Sequence, residues 1–255
     1  MQRRFIPALI ALIAAVGPRA ARGQSKPDLP TADTVLNQYV EATGGKAAYE
    51  KLKSRVSTGT IEITGANLKG TVKVTQALPN KVVVVTELGP IGQTKRVSDG
   101  KNAWDVSPLG ERELDGEEKE QFLRESNFYK ELRWKELYAK VECVGIEDVD
   151  GKPAYKIVLK PKSGKPSTEY YDKASHLLVK QTAFTAGPMG EITVETFPSD
   201  YKAVDGVLIA FTATQKVLTQ QIVLKMTAVK HNVDLPADTF RRPASPDEPA
   251  KKKAE

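Results

Sequence analysis

From Arg55 to Lys230 the chain reads as a succession of period-two runs separated by short turns. Successive side chains of a strand point to opposite faces, so such runs are strands, and short turns make neighbours antiparallel. Three turns share an Asp-Gly core: Asp99-Gly100, Asp150-Gly151 and Asp205-Gly206. Both residues of that pair tolerate positive φ, which a tight hairpin demands. A meander of about eleven strands does not stay flat; it curls, and its concave face has to be filled.

The stretch Pro79-Asn80-Lys81-Val82-Val83-Val84-Val85 makes the same demand locally. Valine is stiff at χ1 and suits a strand. Two of the valines face one way and two the other, so both faces need cover there. The strand residues alone leave open which pair faces inward; Val83 and Val85 are taken as the pair lining the interior.

Two helical regions can supply cover. Val35, Leu36, Tyr39 and Val40 form a helical stripe that starts near Asp33, a candidate N-cap, and ends at Thr43-Gly44-Gly45. A short second helix spans Lys46 to Lys53. Between the strand runs, Asp115 and Glu118 stand at capping-box spacing ahead of Phe122 and Leu123. After Ser126-Asn127 comes Phe128-Tyr129-Lys130-Glu131-Leu132-Arg133-Trp134-Lys135-Glu136-Leu137-Tyr138, read as helical and rich in aromatic mass. The expectation is an α+β fold: a curled antiparallel sheet, or incomplete β-barrel, with helices lidding its concave face. Trp104, Phe122, Phe128, Tyr129, Leu132, Trp134, Leu137 and Tyr138 join Val83 and Val85 as the candidate lining of the cavity or its lid. For each aromatic alone, core packing is the simpler explanation; as a set they can be both wall and core.

The ends read differently. Met1-Gln2-Arg3-Arg4 is basic, Phe5 to Val16 is apolar apart from Pro7, and Ala21-Arg22-Gly23 is a small-x-small cleavage pattern. Residues 1–23 are therefore expected to be a secretory signal peptide. Residues 24–32 follow as a linker, 33–240 as the domain, and 241–255 as a proline-rich, charged, disordered tail. Arg3, Arg4, Arg19 and Arg22 face no acid within residues 1–23, so most of the net charge of +6 belongs to the leader. What remains does not argue for nucleic acid, which wants a clustered basic footprint. The single cysteine, Cys143, permits no internal disulfide and sits in a strand-like stretch. With no cysteine directly after the leader, a lipid anchor is not expected; the expectation is a soluble protein of the periplasm of a Gram-negative-type envelope.

Catalytic and metal chemistry are missing from the pattern. His176 and His231 have no ligand-spaced partners, and zinc usually needs three or four donors. Asp148-Val149-Asp150-Gly151 lacks the further acids of a calcium loop. Gly44-Gly45-Lys46 is followed by Ala47 where a phosphate loop needs Ser or Thr. No serine sits in a nucleophile elbow. No catalytic residue, metal or cofactor is expected, and the protein is not read as an enzyme.

Ala42 to Ser54 (ATGGKAAYEKLKS), the central Phe128 to Tyr138, the DGKNAW of Asp99 to Trp104, Tyr201 to Phe211 and Val229 to Val233 together resemble the LolA/LolB-like superfamily, and within it outer-membrane lipoprotein-sorting-like envelope proteins. The resemblance covers about residues 33–240. It implies a half-barrel with a helical lid over an apolar cavity that takes lipid or lipoprotein acyl chains, with envelope membrane proteins as further partners. It also implies a barrel arginine that helps to hold the lid closed, for which Arg55, Arg96 and Arg133 are candidates by residue type.

Overall fold

The order of the strands explains where the lid comes from. In the computed structural model, which describes residues 28–187 and 190–243, β1 (Ser54–Thr64), β2 (Leu68–Ala77), β3 (Lys81–Leu88), β4 (Gly92–Ser98), β5 (Ala103–Ser107) and β6 (Gly110–Glu113) form one antiparallel meander. A second meander comprises β7 (Tyr138–Val149), β8 (Lys152–Pro161), β9 (Ser167–Asp172), β10 (Leu178–Gly187), β11 (Gly190–Val204), β12 (Val207–Val217) and β13 (Gln220–His231). β13 pairs with β1, so both join in one sheet of order β6-β5-β4-β3-β2-β1-β13-β12-β11-β10-β9-β8-β7. The edge strands β6 and β7 are consecutive in sequence and opposite in space. Residues 114–137 between them must cross from edge to edge. That crossing carries α3 (Gly116–Glu125) and α4 (Trp134–Leu137).

The sheet is the curled, unclosed antiparallel sheet expected, with 13 strands rather than about eleven. β6, Gly-Glu-Arg-Glu, has no apolar alternation and exists because the turn after β5 folds it back. Two Asp-Gly turns close as two-residue hairpins. Asp150 and Gly151 have φ of 51° and 81° and join Val149 to Lys152; Asp205 and Gly206 have 50° and 84° and join Val204 to Val207. Asp99-Gly100 lies in a longer loop, where the Asp99 carboxylate accepts from the N–H groups of Lys101 and Asn102, both at 2.8 Å.

Register settles the four valines. Val84 pairs with Arg96, which lines the internal cavity, whereas Val83 pairs with Val97 and Val97 with Trp104. Directly paired residues share a face. Val82 and Val84 therefore face inward, and Val83, Val85, Val97 and Trp104 face outward. Val83, Val97 and Trp104 are nonetheless buried, and Val85 partly so, because Leu235 and Phe240 return over them.

α1 (Ala32–Ala42) lies on the inner face, with Val35, Leu36 and Val40 packed against Trp134, Ile157, Leu159 and Tyr171. Its cap is Thr31, whose hydroxyl accepts from the Thr34 N–H at 3.1 Å; Asp33 is in the first turn. The link to α2 (Lys46–Tyr49) docks on the β11–β12 hairpin, where the Leu208 N–H donates to the Thr43 carbonyl at 2.9 Å. Gly44 has φ of 126°, and a Cβ there would stand 2.1 Å from the Gly206 carbonyl oxygen, so the approach requires glycine.

Two expectations for the crossing segment are corrected. Asp115 occupies the N-cap of α3 without a side-chain cap bond, and Glu118 instead takes the Arg112 guanidinium at 2.7 Å. Phe128 to Leu132 are turns rather than helix, and in this stretch only Trp134–Leu137 is helical. The backbone has other partners: the Asn127 side chain accepts from the Tyr129 N–H at 3.1 Å, and the Phe128 N–H donates to the Pro79 carbonyl at 3.0 Å. Tyr138 already belongs to β7.

The chain after β13 returns over the outer face of the sheet. Phe240 is buried against Trp104, and Arg242 pairs with Glu111 at 2.8 Å. The leader, residues 24–27 and residues 244–255 lie outside the described residues. No described helix is long and apolar enough to cross a membrane.

Candidate functional site

A cavity of about 620 Å³ lies between the inner face of the sheet, the first two helices and the crossing segment. Its apolar wall includes Leu36 from α1, Leu159 from β8, Leu178 from β10, and Val207 and Ile209 from β12. Phe122 and Trp134 close it from the crossing segment.

α3 is tied to both halves of the sheet. On one side the Arg96 guanidinium of β4 donates to both oxygens of Asp105, at 2.5 and 2.7 Å, and stands 3.6 Å from Glu118 of α3. The same guanidinium lies over the Phe122 ring, 5.4 Å from its centroid. On the other side Ser163, after β8, bonds to Glu120, and Gln121 donates to the Phe184 carbonyl of β10 at 2.9 Å. Lys165 pairs with Glu191 beside that contact. The helix thus spans the opening, held by ionic contacts at one end and hydrogen bonds at the other. Arg112 bonds hold the Glu118 carboxyl below the usual carboxylate range, against its partial burial.

The interior is less apolar than the sequence suggests. Tyr39, Tyr49, Tyr171 and Tyr201 face the cavity, with the Tyr39 and Tyr171 rings 5.2 Å apart. Burial pushes all four phenols above their ordinary range, so they remain hydrogen-bonding hydroxyls. Glu169 of β9 accepts from the Tyr171 hydroxyl at 2.5 Å and from Gln181 at 3.3 Å, and burial raises its carboxyl. Lys130 and Glu131 of the crossing segment also line the space. Arg55 of β1 enters it from below Phe128, its guanidinium 5.6 Å from the ring centroid. Its Nε donates to Nε2 of His231 at 3.0 Å, so the His231 proton is on Nδ1, facing Asp205 at 3.0 Å. Burial, and then Arg55, lower the imidazole's pKa, favouring this neutral form.

The predicted lining residues divide. Phe122, Trp134 and Tyr138 line the cavity. Phe128 packs behind the wall in the main core, with Tyr129 and Leu132 against it. Tyr129 donates its hydroxyl to the Leu52 carbonyl at 2.8 Å, and the half-buried Leu137 closes α4 without lining the space. Val83, Val85 and Trp104 are on the outer face. The inward tyrosines and Glu169 were missed because a strand such as Ser-Thr-Glu-Tyr-Tyr-Asp carries no mark of which polar residue points in. Among the described residues no cluster of His, Cys, Asp or Glu could hold a metal ion.

No protein family matches the chain at the level of sequence, and no curated protein does. Solved structures do. A LolA superfamily protein from Nitrosomonas europaea superposes with a TM-score of 0.58 at 13% identity, covering 84% of this chain and 99% of that one. A DUF1329 family protein from Desulfovibrio piger gives 0.57 at 13%, covering 85% and 98%. A domain from Vibrio parahaemolyticus described as outer membrane lipoprotein-sorting gives 0.55 at 14%, covering 82% and 97%. The chain has a LolA/LolB-like fold. At these identities the likeness concerns architecture alone. Within the LolA/LolB-like half-barrel, Arg96 and Arg55 both reach from the sheet to the crossing segment, whereas Arg133 stays within it, over Tyr129 and beside Glu136.

Proposed function

We propose that this protein is a periplasmic binding or carrier protein for an amphiphile bearing acyl chains, either a lipid or the lipidated end of a lipoprotein. The observation that carries the reading is the cavity of about 620 Å³ under a tied lid. Its size falls in the range of ~300–1,000 Å³ typical of ligand sites. Leu36, Leu159, Leu178, Val207 and Ile209 give an acyl chain a wall out of water, and removing apolar surface from water is the driving force such a ligand supplies. The lid is a connection between edge strands rather than part of the sheet, so it can open without breaking strand pairing. The protein binds its ligand without transforming it; the leader-like start of the sequence and the lipoprotein-sorting description of one structural relative support export and an envelope role. A structural module with a solidly packed centre is the other reading, and a space of this size disfavours it.

The test is native mass spectrometry of the protein purified from its own envelope, with extraction and identification of bound lipid. Stoichiometric acyl-bearing mass is expected. Protein that arrives empty, and stays empty after incubation with lipid vesicles and acylated peptide, overturns the proposal.

A further inference from the structure

The charged groups inside the cavity have no counterpart in a wall built for acyl chains alone. The Lys130 side chain is exposed and lines the cavity. Glu131 lines the same space. Among the described residues neither side chain makes a hydrogen bond or an ion pair. A charge that a bound ligand cuts off from water is costly unless it is paired and hydrogen-bonded. Glu169 and Arg55 stand around them, the first held by Tyr171, the second by His231.

Both signs are present. Burial works against the charge of Lys130, but Glu131 and Glu169 more than offset it, and the amine titrates above its ordinary range. The site therefore keeps a cation, with a free carboxylate beside it. A ligand head of one sign meets a like charge: an anionic head faces Glu131 and Glu169, and a cationic head faces Lys130 and Arg55. An uncharged head leaves both Lys130 and Glu131 unpaired. A head with an anion and an ammonium a few bonds apart pairs with each in turn.

We infer that the polar end of this cavity selects a zwitterionic phospholipid head, with Lys130 taking the phosphate and Glu131 the ammonium. A primary ammonium donates hydrogen bonds to a carboxylate and a quaternary one cannot, so ethanolamine heads are preferred over choline heads. The inference rests on the acyl-carrier reading and adds the head group to it.

The experiment loads the full protein from vesicles of phosphatidylethanolamine, phosphatidylcholine, phosphatidylglycerol or uncharged diacylglycerol, and counts bound lipid by native mass spectrometry. Phosphatidylethanolamine is expected to bind about tenfold or more tightly than phosphatidylglycerol, the effect of one charge-assisted hydrogen bond. K130M and E131Q should each erase that preference while diacylglycerol still loads, which shows that the variants fold and keep the acyl site. Equal binding of all four lipids overturns the head-group inference and leaves the carrier reading standing. A preference that survives both substitutions overturns the assignment to these residues. Failure of every lipid to load removes the carrier reading and this inference together.

Discussion

The indole N–H of Trp134 donates to Oδ1 of Asp33 at 3.0 Å, fastening the crossing segment just before β7 to the first turn of α1. Lys135 joins the same carboxylate at 2.6 Å. Hydrogen bonds from Lys135, and then Trp134, hold the Asp33 carboxyl below its usual range. The pinned residue is also a cavity wall, so the contact couples the lid to the helix beneath it.

W134F keeps a ring in the wall and removes the donor; it should cost about 0.5–1.5 kcal/mol, the usual net value of one hydrogen bond. W134A should cost about 3–5 kcal/mol, because it also empties a buried volume. Urea denaturation of both variants measures the difference. Equal losses would mean that the bond, and not the packing, carries the residue's contribution.

The Arg112 bonds to Glu118 predict a pH-sensitive lid. The Glu118 carboxyl has a folded value below its ordinary 4.5, so its stabilisation is complete above that value and is lost as pH falls through the depressed one. Amide exchange over residues 116–125 should therefore speed up on acidification relative to β1 and β13. R112A should flatten that pH dependence, since Arg112 bonds are its largest favourable cause. The pair is partly solvated, so the effect should appear as local opening rather than global unfolding. An acid response unchanged in R112A would assign it to other groups.

How far the sequence was legible depends on the range of the physics involved. The meander and two of the Asp-Gly hairpins follow from backbone rules that act within a few residues. The inward face of Val82 to Val85 does not, because it depends on where Phe240, far along the chain, comes to rest. A strand with cover on both sides shows no alternation to read. The turn conformation of Phe128 to Leu132 was hidden likewise: its aromatic density resembles a helix, and a tertiary bond to Pro79 decides against one. Glu169 sits in a short strand whose sequence carries no mark of which polar residue points inward.

Phe240 should matter more than its place near the end of the domain suggests. It covers the outer side of Val83, Val97 and Trp104. F240A should destabilise by about 3–5 kcal/mol, toward the lower end if the exposed segment collapses onto the gap. R242A, which loses its pair with Glu111 at 2.8 Å but leaves the apolar cover in place, should cost less than F240A. Thermal melts of the two variants separate docking by burial from docking by charge. A melting temperature unchanged in F240A would mean that residues 235–240 contribute no core.

The two tryptophans allow the cavity to be read alone. Trp104 is on the outer face, and its Nε1 is buried with no hydrogen-bond partner among the described residues. W104F therefore removes an unsatisfied donor while keeping an aromatic ring, and little stability should be lost. The remaining tryptophan, Trp134, lines the cavity. Titrating W104F with a long-chain fatty acid or an acylated peptide should shift or quench its emission and saturate. The change should be weaker or absent with a short-chain homologue, because binding free energy scales with the apolar area removed from water. W134F in the wild-type background leaves Trp104 as sole reporter, and its emission should ignore the same ligands. A saturable response from Trp104 instead would place binding on the outer face, whereas silence from both, with no lipid on the purified protein, would mean that the cavity holds water alone.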